Sequence, residues 1–266
     1  MSDSLSSPSD SDQTSMDLSA VNPDILEAIF LRFSKKDLVK CAETCHLWKK
    51  IINTRAFWIA KEDYEGENYI RSLVGSGKPI LANNFACLSI KKPFERGLLV
   101  HENPKGLNEV TKHVDPRWVF ENGDETCSKY FNITIKELGL SPKIMDNYRP
   151  PIVFSEWVVN RSDCGCLYRS SIQLFNENRQ RIAWERQEIS FNKWQHQLWQ
   201  KIEIAMQSYP PGARSIRVLS SGRDLENWQG HYGPKMAGGQ LMIKMDETPL
   251  PAQSLVLGDD QNEPLE

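Results

Sequence analysis

The sequence predicts a multi-domain protein of the α plus all-β class, in which an N-terminal helical module precedes an antiparallel β-sandwich or jelly roll. Before residue 60, apolar residues recur at steps of three and four, which is the spacing of one helix face. After about residue 93 the pattern changes to short alternating runs separated by Gly, Pro and Asn turn signals. A chain of 266 residues with 39% hydrophobic composition is long enough for one small and one medium folded unit.

The first of the predicted helices begins at a recognisable cap. Asn22 is a favourable N-cap residue and Pro23 a favourable first helical residue. The apolar face of this helix is formed by Ile25, Leu26, Ile29, Phe30 and Phe33. Ser34 with Asp37 resembles a capping box and starts a second helix. The second helix is predicted to continue at helical spacing through Leu38, Cys41, Ala42, Cys45 and Trp48. About forty residues cannot bury this much apolar surface alone, so we expect the module to contact another surface.

Alternating apolar and polar residues predict strands in the rest of the chain. The clearest alternating sets are Ile202, Ile204 and Met206; Ile216 and Val218; and Leu241, Ile243 and Met245. Residues 152–159 and 166–175 also fit strands, and the second of these has Cys166, Tyr168, Ile172 and Leu174 on one side. Many short strands without an intervening helical pattern favour an antiparallel sandwich or jelly roll.

Composition and motifs exclude several classes of protein. The five histidines lie near no nucleophile motif, and the segment from Gly75 to Pro79 lacks the spacing of a phosphate-binding loop, so we expect no catalytic residue and no cofactor. Cys164 and Cys166 are too close together for a zinc-binding pair, and we expect no metal. No signal peptide or membrane-spanning run is recognisable, which predicts a soluble cytoplasmic protein with free thiols and no membrane insertion.

Both ends of the chain are acidic and predict disordered, solvated tails. Residues 1–20 hold eight serines, four aspartates and no basic residue, and residues 246–266 hold six acidic residues and no basic residue. Without these ten negative charges the net charge changes from −3 to +7 for residues 21–245. This excess is modest and spread along the chain, so it does not indicate a nucleic-acid partner.

The segment "NPDILEAIFLRFSKKDLVKCAETCHLWKKIINTRAFW" resembles an F-box. The resemblance rests on Pro-x-x-Ile-Leu, an Ile-Phe step, Asp-Leu, Cys before x-x-Trp and a closing Phe-Trp. It implies that the helical module docks on the Skp-type adaptor of an SCF ubiquitin ligase, which also contains a cullin. The residues expected to bind the adaptor are Pro23, Ile25, Leu26, Ile29, Phe30, Leu38, Val39 and Trp48. The alternative is an ordinary helical hairpin packed on the β-domain.

Residues 94–245 resemble the F-box-associated (FBA) domain of the sugar-recognising F-box proteins. The resemblance is carried by "PFERGLLVHENPKGL", "RPPIVFSEWVVNRSDCGCLY", "YPPGARSIRV" and "GRDLENWQGHYGP". It implies a jelly-roll sandwich whose loops at one end hold the substrate. In some members this site grips the inner chitobiose of high-mannose N-glycans, and such members send misfolded glycoproteins from the endoplasmic reticulum to the proteasome.

The resemblance also implies a set of glycan- or substrate-binding residues. Sugar-binding members carry an aromatic, a tryptophan and a lysine in succession, where this chain has Asn227, Trp228 and Gln229. A sugar-contacting phenylalanine of the family corresponds to Ile135, and a sugar-binding carboxylate corresponds to Asp163. An indole face can stack on a pyranose ring, and a carboxylate can accept hydrogen bonds from hydroxyl groups. The alternatives are structural: Trp228 would fold over the rim of the sandwich, and Asp163 would cap a turn.

The expected organisation has five parts. They are a disordered acidic tail (1–20), the F-box (21–60), a partly helical linker (61–93), the FBA sandwich (94–245) and a second disordered acidic tail (246–266). The expected function is substrate recognition within an SCF ubiquitin ligase, with N-glycoproteins as candidate substrates. A sandwich that binds a non-glycan protein ligand and a binding module outside any SCF complex are the alternatives.

Overall fold

A computed structural model describes residues 21–75, 85–98, 119–122, 126–194, 198–226 and 233–245. The helices are α1 (Pro23–Phe30), α2 (Lys35–Thr44), α3 (His46–Ile52), α4 (Arg55–Glu65), α5 (Tyr69–Gly75), α6 (Phe85–Lys91) and α7 (Pro142–Asn147). The strands are β1 (Val119–Asn122), β2 (Thr126–Thr134), β3 (Ile152–Val159), β4 (Cys166–Phe175), β5 (Arg181–Phe191), β6 (Gln200–Met206), β7 (Ser215–Asp224) and β8 (Lys235–Ile243). A helical part therefore precedes an antiparallel β-part, as the sequence predicts.

The predicted helix starts are confirmed by hydrogen bonds. The Asn22 side chain accepts from the Asp24 N–H at 2.9 Å, and the Ser34 hydroxyl accepts from the Asp37 N–H at 3.2 Å. The single second helix predicted through Trp48 is wrong, because Cys45 has extended backbone angles (φ −155°, ψ 164°) and separates α2 from α3. Helical spacing of side chains continues across this break although the backbone hydrogen bonding does not.

In the part of the chain that the structure describes, eight antiparallel strands form the two layers of the sandwich. One sheet has five strands in the order β1-β2-β7-β4-β5, and the other has three in the order β6-β3-β8. The predicted strands 152–159 and 166–175 are found with those bounds as β3 and β4. Helix α7 and the long strand β5 were not among the predicted elements. Strand β5 has no clear alternation because it lies at a sheet edge and exposes residues on both of its faces.

A polar layer divides the interior of the sandwich. On β3, the inward positions Phe154, Glu156 and Val158 are all at most 1% exposed. The Glu156 carboxylate lies 2.5 Å from the Lys129 ammonium and accepts a hydrogen bond from the Tyr168 hydroxyl at 3.0 Å. Phe154 belongs to the large core that the sandwich shares with the helices, whereas Val158 belongs to a smaller apolar cluster near one end. The interior near that end is therefore separated from the main core by an ion pair.

The helical part is joined to the sandwich through the segment after α6. Phe94 bridges to Ile243 of β8, and the Glu95 N–H donates to the Ile243 carbonyl at 2.9 Å. The Tyr69 hydroxyl donates to the Phe94 carbonyl at 2.9 Å and accepts from the Phe94 N–H at 2.8 Å. Burial raises the pKa of Tyr69 to about 12, so the hydroxyl remains available as a donor. Helix α4 runs without interruption across residue 60, the expected end of the helical module.

We expect Gly139→Ala to loosen this junction. Gly139 lies in the turn after β2, has φ +73°, and a Cβ placed on it would lie 2.4 Å from the Cys87 sulfur of α6. The substitution adds backbone strain and a clash, which should cost roughly 1–3 kcal/mol of unfolding free energy in chemical denaturation. Adding Cys87→Ala should recover the part that is due to the clash with the sulfur, while the flexible Lys91 side chain, whose Cγ would lie 2.8 Å from the added Cβ, still has to move. Equal stability of Gly139→Ala and the parent chain would contradict this account.

Candidate functional site

One candidate interface is the outer face of α1. The side chains of Ile25, Ile29 and Phe33 are 55%, 44% and 39% exposed. Ile25 and Ile29 lie on one side of α1, because residues four apart stack on one side of a helix. Phe33 lies in the turn after α1, where its ring is 6.1 Å from the Phe30 ring, centroid to centroid. An exposed apolar row flanked by polar residues is typical of a surface that another protein covers.

The structure divides the predicted adaptor-binding residues into two groups. Ile25, Ile29 and Pro23 are exposed, and Val39 and Trp48 are partly exposed. Leu26, Phe30 and Leu38 are at most 2% exposed and form the core of the helical part. Phe30 packs edge-on against Trp48, with ring centroids 5.1 Å apart. The buried side chains therefore support the face that Ile25 and Ile29 present.

A second candidate site lies at one end of the sandwich. In the five-stranded sheet, Cys166 at the start of β4 is paired with Asp224 at the end of β7 and with Phe191 at the end of β5. The chain that precedes β4 and the chain that leaves β5 and β7 therefore meet there. We call this end of the sandwich the loop rim, and its described residues are 160–165, 192–194, 198–199, 225–226 and 233–234.

Asp163 lies on the loop rim, and its carboxylate already accepts hydrogen bonds from Arg161. Arg161 donates two hydrogen bonds to this carboxylate, at 2.9 and 2.8 Å. These hydrogen bonds from Arg161 hold the pKa of Asp163 below its usual value, so the carboxylate is charged at neutral pH. The side chain is 51% exposed and keeps room to accept from a ligand.

Ile135 is placed far from the loop rim. Its side chain is 1% exposed and continues the inward row of Phe131 and Ile133 on β2. Its N–H donates to the Arg214 carbonyl, next to Ser215 at the start of β7, whereas the loop rim lies beyond Asp224. Nine residues of β-strand span about 30 Å. The described structure therefore does not bring Ile135 together with Asp163, because the pleat of β2 turns the isoleucine into the core.

Asn227, Trp228 and Gln229 lie outside the described residues. On one side of them, Glu226 pairs with Lys193 at 2.8 Å and accepts from the Gly165 N–H at 3.4 Å. On the other side, Gly233 follows and lines a cleft of about 100 Å³ together with Asp224. Gly222, also in this cleft, would clash with Pro234 at 2.5 Å if it carried a Cβ.

The structure adds a residue that sequence reasoning missed. Trp194 on the loop rim is 74% exposed. Its backbone has φ +64°, a conformation that bulky residues rarely adopt, and its N–H donates to the Ser162 carbonyl at 2.8 Å. Lys193 lies 5.6 Å from its ring centroid. The sequence signal that could have identified this residue is a tryptophan flanked by the polar residues Lys193 and Gln195, outside any alternating pattern.

The residues that the structure describes contain neither a metal-binding cluster nor a membrane-spanning helix. No group of three or more His, Cys, Asp or Glu side chains in the part of the chain that the structure describes could hold a metal ion. Among the same residues, no helix is long and apolar enough to cross a bilayer.

Comparison with known proteins yields two family matches. The F-box-like family matches residues 23–60, and the FBA family, described as the F-box associated region, matches residues 113–243. F-box only protein 6 of Mus musculus is 27% identical over 255 residues, which cover 87% of this chain and 85% of that protein. F-box only protein 6 of Rattus norvegicus is 27% identical over 266 residues, covering 90% and 91%. F-box only protein 44 of Mus musculus is 23% identical, covering 82% and 93%.

A solved structure is also similar in part. The CBM22-1 xylan-binding domain of Paenibacillus barcinonensis Xyn10C shares 9% identity and covers 47% of this chain and 85% of its own length. The TM-score of 0.29 is too low for this likeness to carry an argument.

The family matches coincide with the two parts of the fold. The F-box-like match covers α1 to α3 and part of α4, and the FBA match covers β1 to β8. Together they span well over half of the chain. An F-box followed by an FBA region supports a role as the substrate-recognition subunit of an SCF ubiquitin ligase, which is a non-catalytic adaptor role. The chain belongs to the F-box only proteins that carry an F-box associated region.

Proposed function

We propose that this protein holds substrates for an SCF ubiquitin ligase at the loop rim of its sandwich, and that it recognises N-linked glycans on misfolded glycoproteins in endoplasmic-reticulum-associated degradation. The exposed surface formed by Ile25 and Ile29 of α1 and by Phe33 just after it docks on the Skp-type adaptor, which connects the chain to the cullin. The protein acts in the cytoplasm and uses neither a cofactor nor a metal. The observation that carries the glycan proposal is the exposed Trp194 beside the Asp163 loop.

The mechanism is positional. The chain forms no covalent bond with the substrate. It instead raises the effective concentration of substrate lysines near a ubiquitin-charged enzyme that is held elsewhere in the complex. A stiff connection between the two binding surfaces favours this effect, because a loose tether lowers the effective concentration. Tyr69 and the Phe94–Ile243 bridge supply such a connection between the helices and the sandwich.

The loop rim has the parts that a carbohydrate site needs. Trp194 offers an indole face for the apolar side of a sugar ring, which contributes about 1–2 kcal/mol when part of that ring is buried. Its backbone hydrogen bond to Ser162 holds it next to the loop of Asp163. Asp163 accepts from hydroxyl groups, and Asn227 and Gln229, which lie outside the described residues, carry amides of a type that can donate to and accept from a sugar. Trp194 then supplies a stacking surface that the chain lacks at Asn227.

A non-glycan protein ligand is the second candidate. Two observations favour it: the Ile135 side chain lies in the core, and the carboxylates of Asp163 and Glu226 are already paired with Arg161 and Lys193. A protein ligand would use the apolar part of the loop rim, where Leu198 and Leu225 are 68% and 49% exposed.

Titration of the full chain with chitobiose and with denatured high-mannose glycoprotein separates these candidates. We expect Trp194→Ala and Trp228→Ala each to weaken glycan binding about tenfold, since each removes a stacking surface. Trp184→Ala is the matched control, because Trp184 is a 47% exposed tryptophan on the outer face of β5, and it should leave chitobiose binding unchanged.

Two outcomes would contradict the glycan proposal. Absence of binding at millimolar chitobiose would leave the non-glycan ligand as the better candidate. Binding that persists in the Trp194→Ala/Trp228→Ala double variant would place the sugar site away from the loop rim.

A further inference from the structure

The outer face of the five-stranded sheet carries an ordered row of aromatic and guanidinium groups away from the loop rim. Strand register places Asn132, Arg217, Gln173 and Trp184 side by side across β2, β7, β4 and β5. The Arg217 guanidinium lies 5.1 Å from the ring centroids of both Tyr130 and Phe175. We call the surface formed by Tyr130, Phe175, Arg181, Trp184, Arg186 and Arg217 the arginine–aromatic face.

The arginine–aromatic face has two centres of contact. The first is Arg217, between the rings of Tyr130 and Phe175, and the second is Trp184. The guanidinium carbons of Arg181 and Arg186 both lie 4.8 Å from its ring centroid. The indole is nevertheless 47% exposed. The two centres, Arg217 on β7 and Trp184 on β5, have β4 between them, so they are about 10 Å apart at the usual strand spacing.

The charge of the face is not neutralised by its neighbours. Within the residues that the structure describes, Arg181, Arg186 and Arg217 form no ion pair with a carboxylate. Arg217 instead donates to the Asn132 side-chain oxygen at 2.7 Å. The neighbouring Arg169 differs, because it is paired with Glu188. Three cations therefore remain available to an anion on one face.

This chemistry discriminates between ligands. A sugar ring would have to displace guanidinium groups from Trp184 before it could stack, and Glu188, a carboxylate on the same face, is already paired with Arg169. An arginine that lies over an aromatic ring can still bind a carboxylate with two hydrogen bonds through N–H groups at the edge of its planar guanidinium. The ligand that fits is an anion with carboxylates.

We propose that the arginine–aromatic face binds an acidic, extended segment of a partner protein. In an extended segment of polyproline II conformation, with about three residues per turn and a rise of about 3.1 Å, residues three apart lie on the same side and about 9 Å apart, which is close to the separation of the two arginine centres. The segment that fits best therefore has acidic residues at positions i and i+3. This surface is independent of the loop rim and of the proposed glycan function.

Fluorescence anisotropy with the full chain tests the proposal. The probe is a labelled 12-residue peptide with glutamate at every third position, and its control has glutamine at those positions. We expect the glutamate peptide to bind and to lose affinity as salt increases, and we expect no binding of the glutamine peptide. The Arg186→Gln/Arg217→Gln variant should bind at least tenfold more weakly.

Two further variants make the test specific. Arg169→Gln is the matched control, because Arg169 lies on the same face but is paired with Glu188, and it should change affinity less than twofold. Arg186→Lys/Arg217→Lys keeps the charge but loses the planar guanidinium that donates two parallel hydrogen bonds. Its affinity should lie between that of the parent chain and that of the Arg186→Gln/Arg217→Gln variant. Equal affinity of the parent chain and the Arg186→Gln/Arg217→Gln variant would overturn the proposal.

The acidic ends of this chain are the other possible occupants. Neutralising the six acids of residues 246–266, or the four aspartates of residues 1–20, should leave peptide affinity unchanged if the ligand comes from a partner. A tenfold gain in either full-length variant would show that the chain covers its own face and would overturn the partner proposal. Tighter, equally arginine-dependent binding of a single-stranded oligonucleotide would also overturn it.

Discussion

Replacing Lys129 with alanine is expected to lower the free energy of unfolding by about 3–5 kcal/mol, because it leaves the buried Glu156 carboxylate without its cation. Glu156 is fully buried, and the Lys129 side chain is only 12% exposed. Urea unfolding of the full chain, followed by circular dichroism, measures the loss. The effect should exceed that of any surface substitution in the sandwich.

Two control variants identify the cause of the stability loss expected for Lys129→Ala. Lys201→Ala removes a lysine that lies 3.7 Å from Glu203, with both side chains about half exposed, and should change stability by less than about 0.5 kcal/mol. Lys129→Met/Glu156→Leu removes both buried charges and should recover most of the stability. If this double variant were as unstable as Lys129→Ala, lost packing rather than the unpaired charge would be the cause.

Introducing aspartate at both Ile25 and Ile29 is expected to weaken binding of the Skp-type adaptor by at least about 100-fold, because each isoleucine contributes burial and each aspartate would have to be desolvated in the interface. Co-expression of the full chain with the adaptor, followed by affinity purification and interferometry, measures the loss. The chain itself should stay folded, because both side chains are largely exposed before binding.

Tyr64→Asp is the matched control for adaptor binding. Tyr64 is a large side chain on α4 that is 60% exposed, so the substitution places one aspartate on another exposed helix face. Adaptor affinity should not change. If Ile25→Asp/Ile29→Asp retained the adaptor as well as the parent chain, the α1 face would not be the docking surface.

Features that depend on a few adjacent residues could be predicted from the sequence. The caps at Asn22 and Ser34 each need only a side-chain oxygen and a backbone N–H two or three residues later. The bounds of β3 and β4 follow from apolar runs between turn signals. The break at Cys45 escaped prediction because periodicity records the positions of side chains and not the continuity of backbone hydrogen bonds.

The candidate sites could be predicted only in part. The sequence and its resemblance pointed to Asp163 and to the apolar face of α1, both of which the structure exposes. It could not separate Ile25 and Ile29 from Leu26 and Phe30, because all four lie on one broad apolar stripe until the other helices cover part of it. Trp194 was missed because its position beside Ser162 depends on strand pairing across some thirty residues.

The sequence by itself determined the order of the parts, a capped helical module before an alternating β-domain, because capping and alternation are local. Only the tertiary structure decided which of the predicted residues share a surface. It placed Ile135 about 30 Å from the loop rim, joined Lys129 to Glu156 inside the sandwich, and gathered Arg217 and Trp184 on one outer face. These relations depend on the register of β2, β7, β4 and β5, and a shift of one residue in any strand would turn each side chain to the opposite face.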